Sequence, residues 1–201
     1  GAALGTEMVL REVCAERPDH PGAHHYRTHN WDGGATEQGL PSCARYGPAA
    51  PGIGHSNHMP GHNYTKLGMW HEAAISMDSA TRVELAYMNE RLALPFETWN
   101  FAHNRAYLAY IQEQLGMEKA AILGAQQLMD APLDPKQNAD SPYSSHSQGI
   151  GAILRALVKF ERWEALLDRD TIRWRDIYMD RMNRAYARAR ARLGLGQTDV
   201  A

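Results

Sequence analysis

Apolar positions along this chain recur every three to four residues, and the stretches that carry the spacing are separated by short Gly, Pro and Asp breaks. Met8, Val9, Val13 and Cys14 form one such stripe. No segment shows the strict alternation of a half-buried strand. The pattern predicts an all-α protein of about ten helices. Their expected spans are 6–17, 22–32, 35–46, 55–67, 70–90, 96–115, 118–130, 146–159, 161–168 and 170–193. Pro41 either kinks the third helix or opens its regular part. Pro60 makes the fourth helix either start near Met59 or bend there. One long loop, 131–145, is rich in Pro, Asp and Ser.

The helices come in pairs, and one phrase recurs at their junctions. It reads Tyr64…Leu67-Gly68-Met69-Trp70-His71-Glu72-Ala73, then Tyr110…Leu115-Gly116-Met117-Glu118-Lys119-Ala120. A weaker copy runs Leu157-Val158-Lys159-Phe160-Glu161-Arg162-Trp163-Glu164-Ala165. Glycine permits a tight turn, and the small Ala lets the second helix pack closely on the first. The phrase resembles the tetratricopeptide repeat, a helix–turn–helix unit of about 34 residues. The spacing here is longer, 48 residues from Gly68 to Gly116 and 44 from Gly116 to Phe160. The resemblance implies an irregular tetratricopeptide-like helical-hairpin solenoid over residues 1–168. Residues 169–201 then form an Arg-rich C-terminal capping helix.

Composition changes this picture in one respect. Apolar residues are 44% and charged residues 22%, ordinary for a globular chain. No apolar run reaches the ~18–20 residues of a membrane span. A net charge of −2 argues against nucleic acid as a partner. Two cysteines exclude a disulfide-stapled scaffold. Cys14 and Cys43 either pair in an exported protein or are two small buried thiols. The chain begins Gly1-Ala2-Ala3 inside a helix, which suggests a processed or truncated product and favours an exported protein over a cytoplasmic one. The outlier is histidine, of which there are ten.

Seven of the ten lie between residues 20 and 62. His25 and His29 are spaced i,i+4 and share a helix face, and His58 and His62 repeat that spacing. His55 precedes His58 by three residues, and His103 lies near the start of the sixth helix. These positions belong to the motifs His20-Pro21-Gly22…His25-Tyr26…His29 and His55…His58-Met59-Pro60…His62, with His103 thirteen residues before Gly116. The set resembles a divergent group of bacterial tetratricopeptide-like proteins. That resemblance speaks to fold more than to chemistry. All three groups fall on first helices of their pairs, which in such a superhelix line the concave face.

Convergent imidazoles suit one chemistry above others. Two His at i,i+4 chelate one ion, and a third from a neighbouring helix closes the set. All-imidazole ligation selects Cu or Zn, with Fe and Ni next, over Mg or Ca. Three ligands with an open position is also the arrangement of catalytic sites. The candidate metal ligands are therefore His25, His29, His55, His58, His62 and His103, with Asp32 as a carboxylate ligand or ring N–H partner. Six imidazoles are enough for two ions. Asn104 and Tyr107 are candidate neighbours of His103. His71 and His146 read as ordinary satisfied helix histidines, His20 as a turn former, and His24 points about 100° away from His25.

Other chemistry is thin. Gly52-x-Gly54 and Gly149-x-Gly151 lack a third glycine and a preceding strand. Trp70, Trp99, Trp163 and Trp174 are expected to fill core between repeats. Residues 155–192 carry a local net charge of +5 (ten Arg and one Lys against six acids), which suits either a solvated capping helix or docking on an acidic partner. Two functional readings stand. One is a metal-binding helical-repeat protein, with a metal-dependent oxidoreductase or hydrolase as its enzymatic form. The other is a non-enzymatic scaffold whose groove binds a peptide or partner subunit, with self-association through the solenoid ends open to both.

Overall fold

The structure is a computed structural model, and it describes residues 2–134, 136 and 141–197. Ten α-helices are present among them and no strand. The helices are α1 (Ala2–Glu16), α2 (Pro21–Asp32), α3 (Leu40–Ala49), α4 (Gly54–Lys66), α5 (Trp70–Arg91), α6 (Trp99–Gln114), α7 (Glu118–Asp130), α8 (Ser145–Lys159), α9 (Trp163–Leu167) and α10 (Tyr178–Gly194). Short 3-10 turns precede α3 and α6. None of the described helices is long and apolar enough to cross a membrane. The chain divides into two compact units, 1–93 and 94–201.

Pro41 stands in the first turn of α3, where its missing N–H costs nothing. Pro60 neither starts nor ends α4, which runs from Gly54 to Lys66. The proline deprives the Ser56 carbonyl of its usual donor. On the same turn the Asn57 carbonyl accepts a hydrogen bond from the Ser76 hydroxyl of α5.

Five helices end in the same way. Gly68, Leu92, Gly116, Glu161 and Gly196 all have left-handed φ, between 54° and 73°. The next residue's N–H then reaches back to a carbonyl five residues earlier: Met69 to Tyr64, Ala93 to Met88, Met117 to Gln112, Arg162 to Leu157 and Gln197 to Arg192, at 2.8–3.0 Å. The third junction therefore turns on Glu161, not on Phe160. A non-glycine holds the left-handed conformation there.

In the first unit α2 packs on α1, α3 and α4, and α4 packs on α3 and α5. α2 and α4 thus lie side by side. In the second unit α6 packs on α7 and α8, and α8 on α7, α9 and α10. Its core gathers Ala109, Ala125, Met129, Ile150, Ile153, Leu157 and Ile172, with Trp163 and Trp174 against it. Trp99 departs from the core expectation: it opens α6 and is exposed.

The last helix also departs from expectation. It starts at Tyr178, not near residue 170. Residues 170–177 hold no regular helix because their side chains are committed elsewhere. Ile172 is buried in the core, and the Arg175 backbone N–H and guanidinium both donate to the Asp180 carboxylate. On α10 the buried Ala187 and Ala191 face inward while Arg184, Arg188 and Arg190 are exposed. Gly194 packs so closely against the Trp163 indole that a Cβ there would meet its ring atoms.

Gly149 has a packing role rather than a phosphate-binding one. A Cβ there would stand 2.7 Å from the Met129 backbone nitrogen and 2.9 Å from the Ala125 carbonyl oxygen, where α8 crosses α7. Backbone atoms cannot swing aside. Gly149→Ala is expected to lower stability by about 1–3 kcal/mol, and Gly151→Ala, which meets open space, to be neutral or stabilising by up to about 1 kcal/mol. Urea unfolding of the two variants checks this. Equal midpoints would remove the close crossing from the account of the fold.

Candidate metal centre

The site is built where α2 lies beside α4. The back of α2 is fixed by a buried polar network. Glu7 on α1 accepts from Arg27 Nη2 and Nε at 2.6 and 3.0 Å, and from Trp31 Nε1 at 2.8 Å. Arg11 adds a further bond at 2.7 Å. Burial alone would raise the Glu7 carboxyl, but these donors outweigh it and bring it down to about 2. Arg27 Nη1 also donates to Ser42, and Ser42 pairs with His24 Nδ1 at 3.0 Å. Between the helices Asn63 Nδ2 donates to the Thr28 carbonyl at 3.3 Å. Lys66 then ties the two C-terminal ends together through Asp32.

With 24, 27, 28 and 31 turned inward, positions 25 and 29 turn toward α4. There His55, His58 and His62 share a face by their i, i+3, i+7 spacing. The other side of α4 is occupied by α5, with Met77 packed against Gly61.

Three imidazoles meet at one point. His55 Nε2 lies 3.0 Å from His25 Nε2 and 3.3 Å from His29 Nε2. One ligand atom from each of the three lies within 4.8 Å of the others, so the group could hold a metal ion. His25 and His55 are half-buried, and His29 is exposed on the solvent side. Tyr46 of α3 stacks on His25, ring centroids 5.5 Å apart at 25°. A second pair follows along α4. His58 and His62 bring their Nε2 atoms to 2.8 Å. The His55 and His58 rings are nearly parallel, 5.7 Å apart.

Burial, then the proximity of His25 and His29, pushes the His55 imidazole down to about 4. Burial, then His29, lowers His25 as well. At neutral pH these rings are uncharged and keep a lone pair for a ligand bond. The remaining histidines behave otherwise. His24 is buried and places its ring nitrogens on Ser42 and the Pro18 carbonyl. His146 sits between the Met129 and Arg173 carbonyls at 3.1 and 2.9 Å. His20 caps α2, its Nδ1 accepting from the Ala23 N–H. Each of these meets backbone or hydroxyl groups. The α2–α4 histidines point their Nε2 atoms at one another.

Asp32 is not brought into this group, because its carboxylate takes Lys66 Nζ at 2.6 Å. His103 belongs to the second unit, half-buried on α6, its ring 5.6 Å from Trp99 and 6.0 Å from Tyr107. Its imidazole is lowered by burial. Asn104 beside it is buried, and neither of its amide atoms has a hydrogen-bond partner among the described residues. Cys14 and Cys43 are both free thiols, and Cys43 is pushed up to about 12 by burial. Tyr46 was not singled out by the sequence, since nothing in the spacing of α3 marks it as a neighbour of His25. No family model, characterised protein or solved structure matches this chain.

Proposed function

We propose that this chain is a metal-binding helical-repeat protein whose ion is held by His25, His29 and His55. The single observation that supports it is the convergence of three Nε2 atoms, at 3.0 and 3.3 Å from the central one. Two ligands 2.0–2.1 Å from an ion at a tetrahedral angle stand about 3.3 Å apart. A neutral imidazole has one N–H, so hydrogen bonding alone gives three meeting nitrogens a poor arrangement. An ion at their centre uses all three lone pairs.

The donor set points to copper or zinc, with iron as the next choice, and away from calcium and magnesium, which take oxygen ligands. Three protein ligands leave a position open on the exposed His29 side. There a bound water becomes acidic, or a small molecule exchanges electrons with a redox metal. A metal-dependent oxidoreductase or hydrolase is the enzymatic form of this reading. His103 keeps its place as a proposed ligand on its motif alone.

Elemental analysis of protein purified without a His-tag or nickel resin tests the reading. The expected result is at least one equivalent of copper, zinc or iron, or uptake of one on titration. A chain that holds none and takes up none overturns it, and the groove then reads as a binding surface for a peptide or subunit.

A further inference from the structure

We infer that the α2–α4 face holds two metal ions side by side, bridged by a small anion. The inference rests on the metal-binding reading above and adds a second ion, on His58 and His62. Their Nε2 atoms are 2.8 Å apart. Two ligands 2.0–2.1 Å from an ion stand about 2.9 Å apart when they subtend a right angle. The pair therefore has the bite of two adjacent positions in a tetragonal or octahedral sphere, a geometry that suits Cu(II).

The two sites are neighbours by construction. His55 belongs to the first set and His58 to the second, one helical turn apart on α4. Their rings are 5.7 Å apart and inclined by 27°. That ring separation sets the scale of the distance between the two ions. Two bonds to a single atom span at most about 4 Å, so the gap suits a bridging anion of two or three atoms.

Charge calls for the bridge. Two dications bring a charge of +4 to a face whose five ligand candidates are all imidazole. No carboxylate joins His25, His29 and His55 among the described residues, and Asp32 is engaged with Lys66. Neutral ligands leave the whole repulsion between the ions standing. A bridging anion of two or three atoms between them offsets it and occupies an open position on each ion. The ligand class of the pair is thus the small bridging anion.

Copper titration of the full chain, followed by electron paramagnetic resonance, tests this. The first equivalent of Cu(II) is expected to give an isolated-spin signal of full intensity. The second is expected to reduce or broaden that signal instead of doubling it. Azide, used as the probe anion, should give a charge-transfer band that saturates at one azide per two coppers. His62→Gln should bind one copper and keep the isolated-spin signal, with unchanged helical circular dichroism. His58→Gln serves as a second variant if His62→Gln is misfolded.

Two signals that simply add, or one azide per copper, overturn the bridged pair. A single copper, lost in His55→Ala and unaffected by His62→Gln, overturns the second ion and leaves the three-histidine site intact. No copper at all overturns the three-histidine site as well.

Discussion

Replacing His55 by alanine is expected to abolish stoichiometric metal binding at the three-histidine site. His55 is the central residue of that group, since its Nε2 alone is in close contact with both His25 and His29. Without it, the first set keeps only the i,i+4 pair of α2. Loss of a group that merely orients a ligand costs about 10–100-fold in metal affinity. Loss of a ligand at the centre of the set is expected to cost at least 100-fold, a figure on the order of the upper end of that range. The consequence for stability follows by mass action. At a metal concentration of about 100 times Kd the unchanged chain gains about 2.7 kcal/mol. His55→Ala should gain almost none. His71, exposed at the start of α5, provides the control: His71→Ala should bind and respond as the unchanged chain does. Isothermal titration with zinc, paired with urea unfolding with and without metal, reads both effects. Equal affinity in His55→Ala and the unchanged chain would show that α4 does not contribute a ligand to this ion.

Glu7→Ala is expected to be the most destabilising single change in the first unit, at about 3–5 kcal/mol. The carboxylate is buried and receives Arg27, Trp31 and Arg11 together. Its removal leaves the buried Arg27 guanidinium without its counter-charge. Hydrogen bonds to Ser42 and the Gln38 carbonyl remain but bring no negative charge. The same group makes an acid-sensitive contribution. The Glu7 carboxyl titrates near 4.5 when unfolded and near 2 in the fold. Its contribution is complete above about pH 4.5 and is lost as the pH falls toward 2. A drop of that size corresponds to about 3 kcal/mol. Urea unfolding of the unchanged chain and of Glu7→Gln across that range checks the assignment. The unchanged chain should lose stability on acidification, and the variant should show a flatter profile. A Glu7→Ala variant within about 1 kcal/mol of the unchanged chain would sink the claim that this network holds α2 in place.

These two residues stood differently in the sequence. His55 was visible as a member of the motif around His58, by its three-residue spacing on one helix. Its engagement was not visible. Spacing along α4 groups it with His58 and His62, whereas packing brings its Nε2 to the α2 pair. Glu7 carried no signal at all, being one acidic residue on an amphipathic first helix. Its partners Arg27 and Trp31 lie 20 and 24 residues away, and only the α1–α2 packing unites them. Asp32 was a candidate ligand or ring N–H partner in the sequence, and in the fold its carboxylate is engaged by Lys66 at the end of α4.

What the sequence determined by itself is everything that depends on short-range geometry. The all-α class follows from apolar spacing. So do most helix spans, since Gly68 and Gly116 end their helices in the left-handed turn expected of them. So does the sharing of a face by His25 with His29 and by His58 with His62, because 3.6 residues per turn places them together wherever the helix goes. Tertiary structure decided the rest. It chose Glu161 as the third turn residue, kept residues 170–177 out of the last helix, and left Trp99 in solvent. It also decided which imidazoles meet. The reason is physical: periodicity specifies which way a side chain leaves its own helix. What it meets depends on how closely two helices approach, and that is set by distant groups such as Glu7, Arg27 and Asn63 that no local pattern connects.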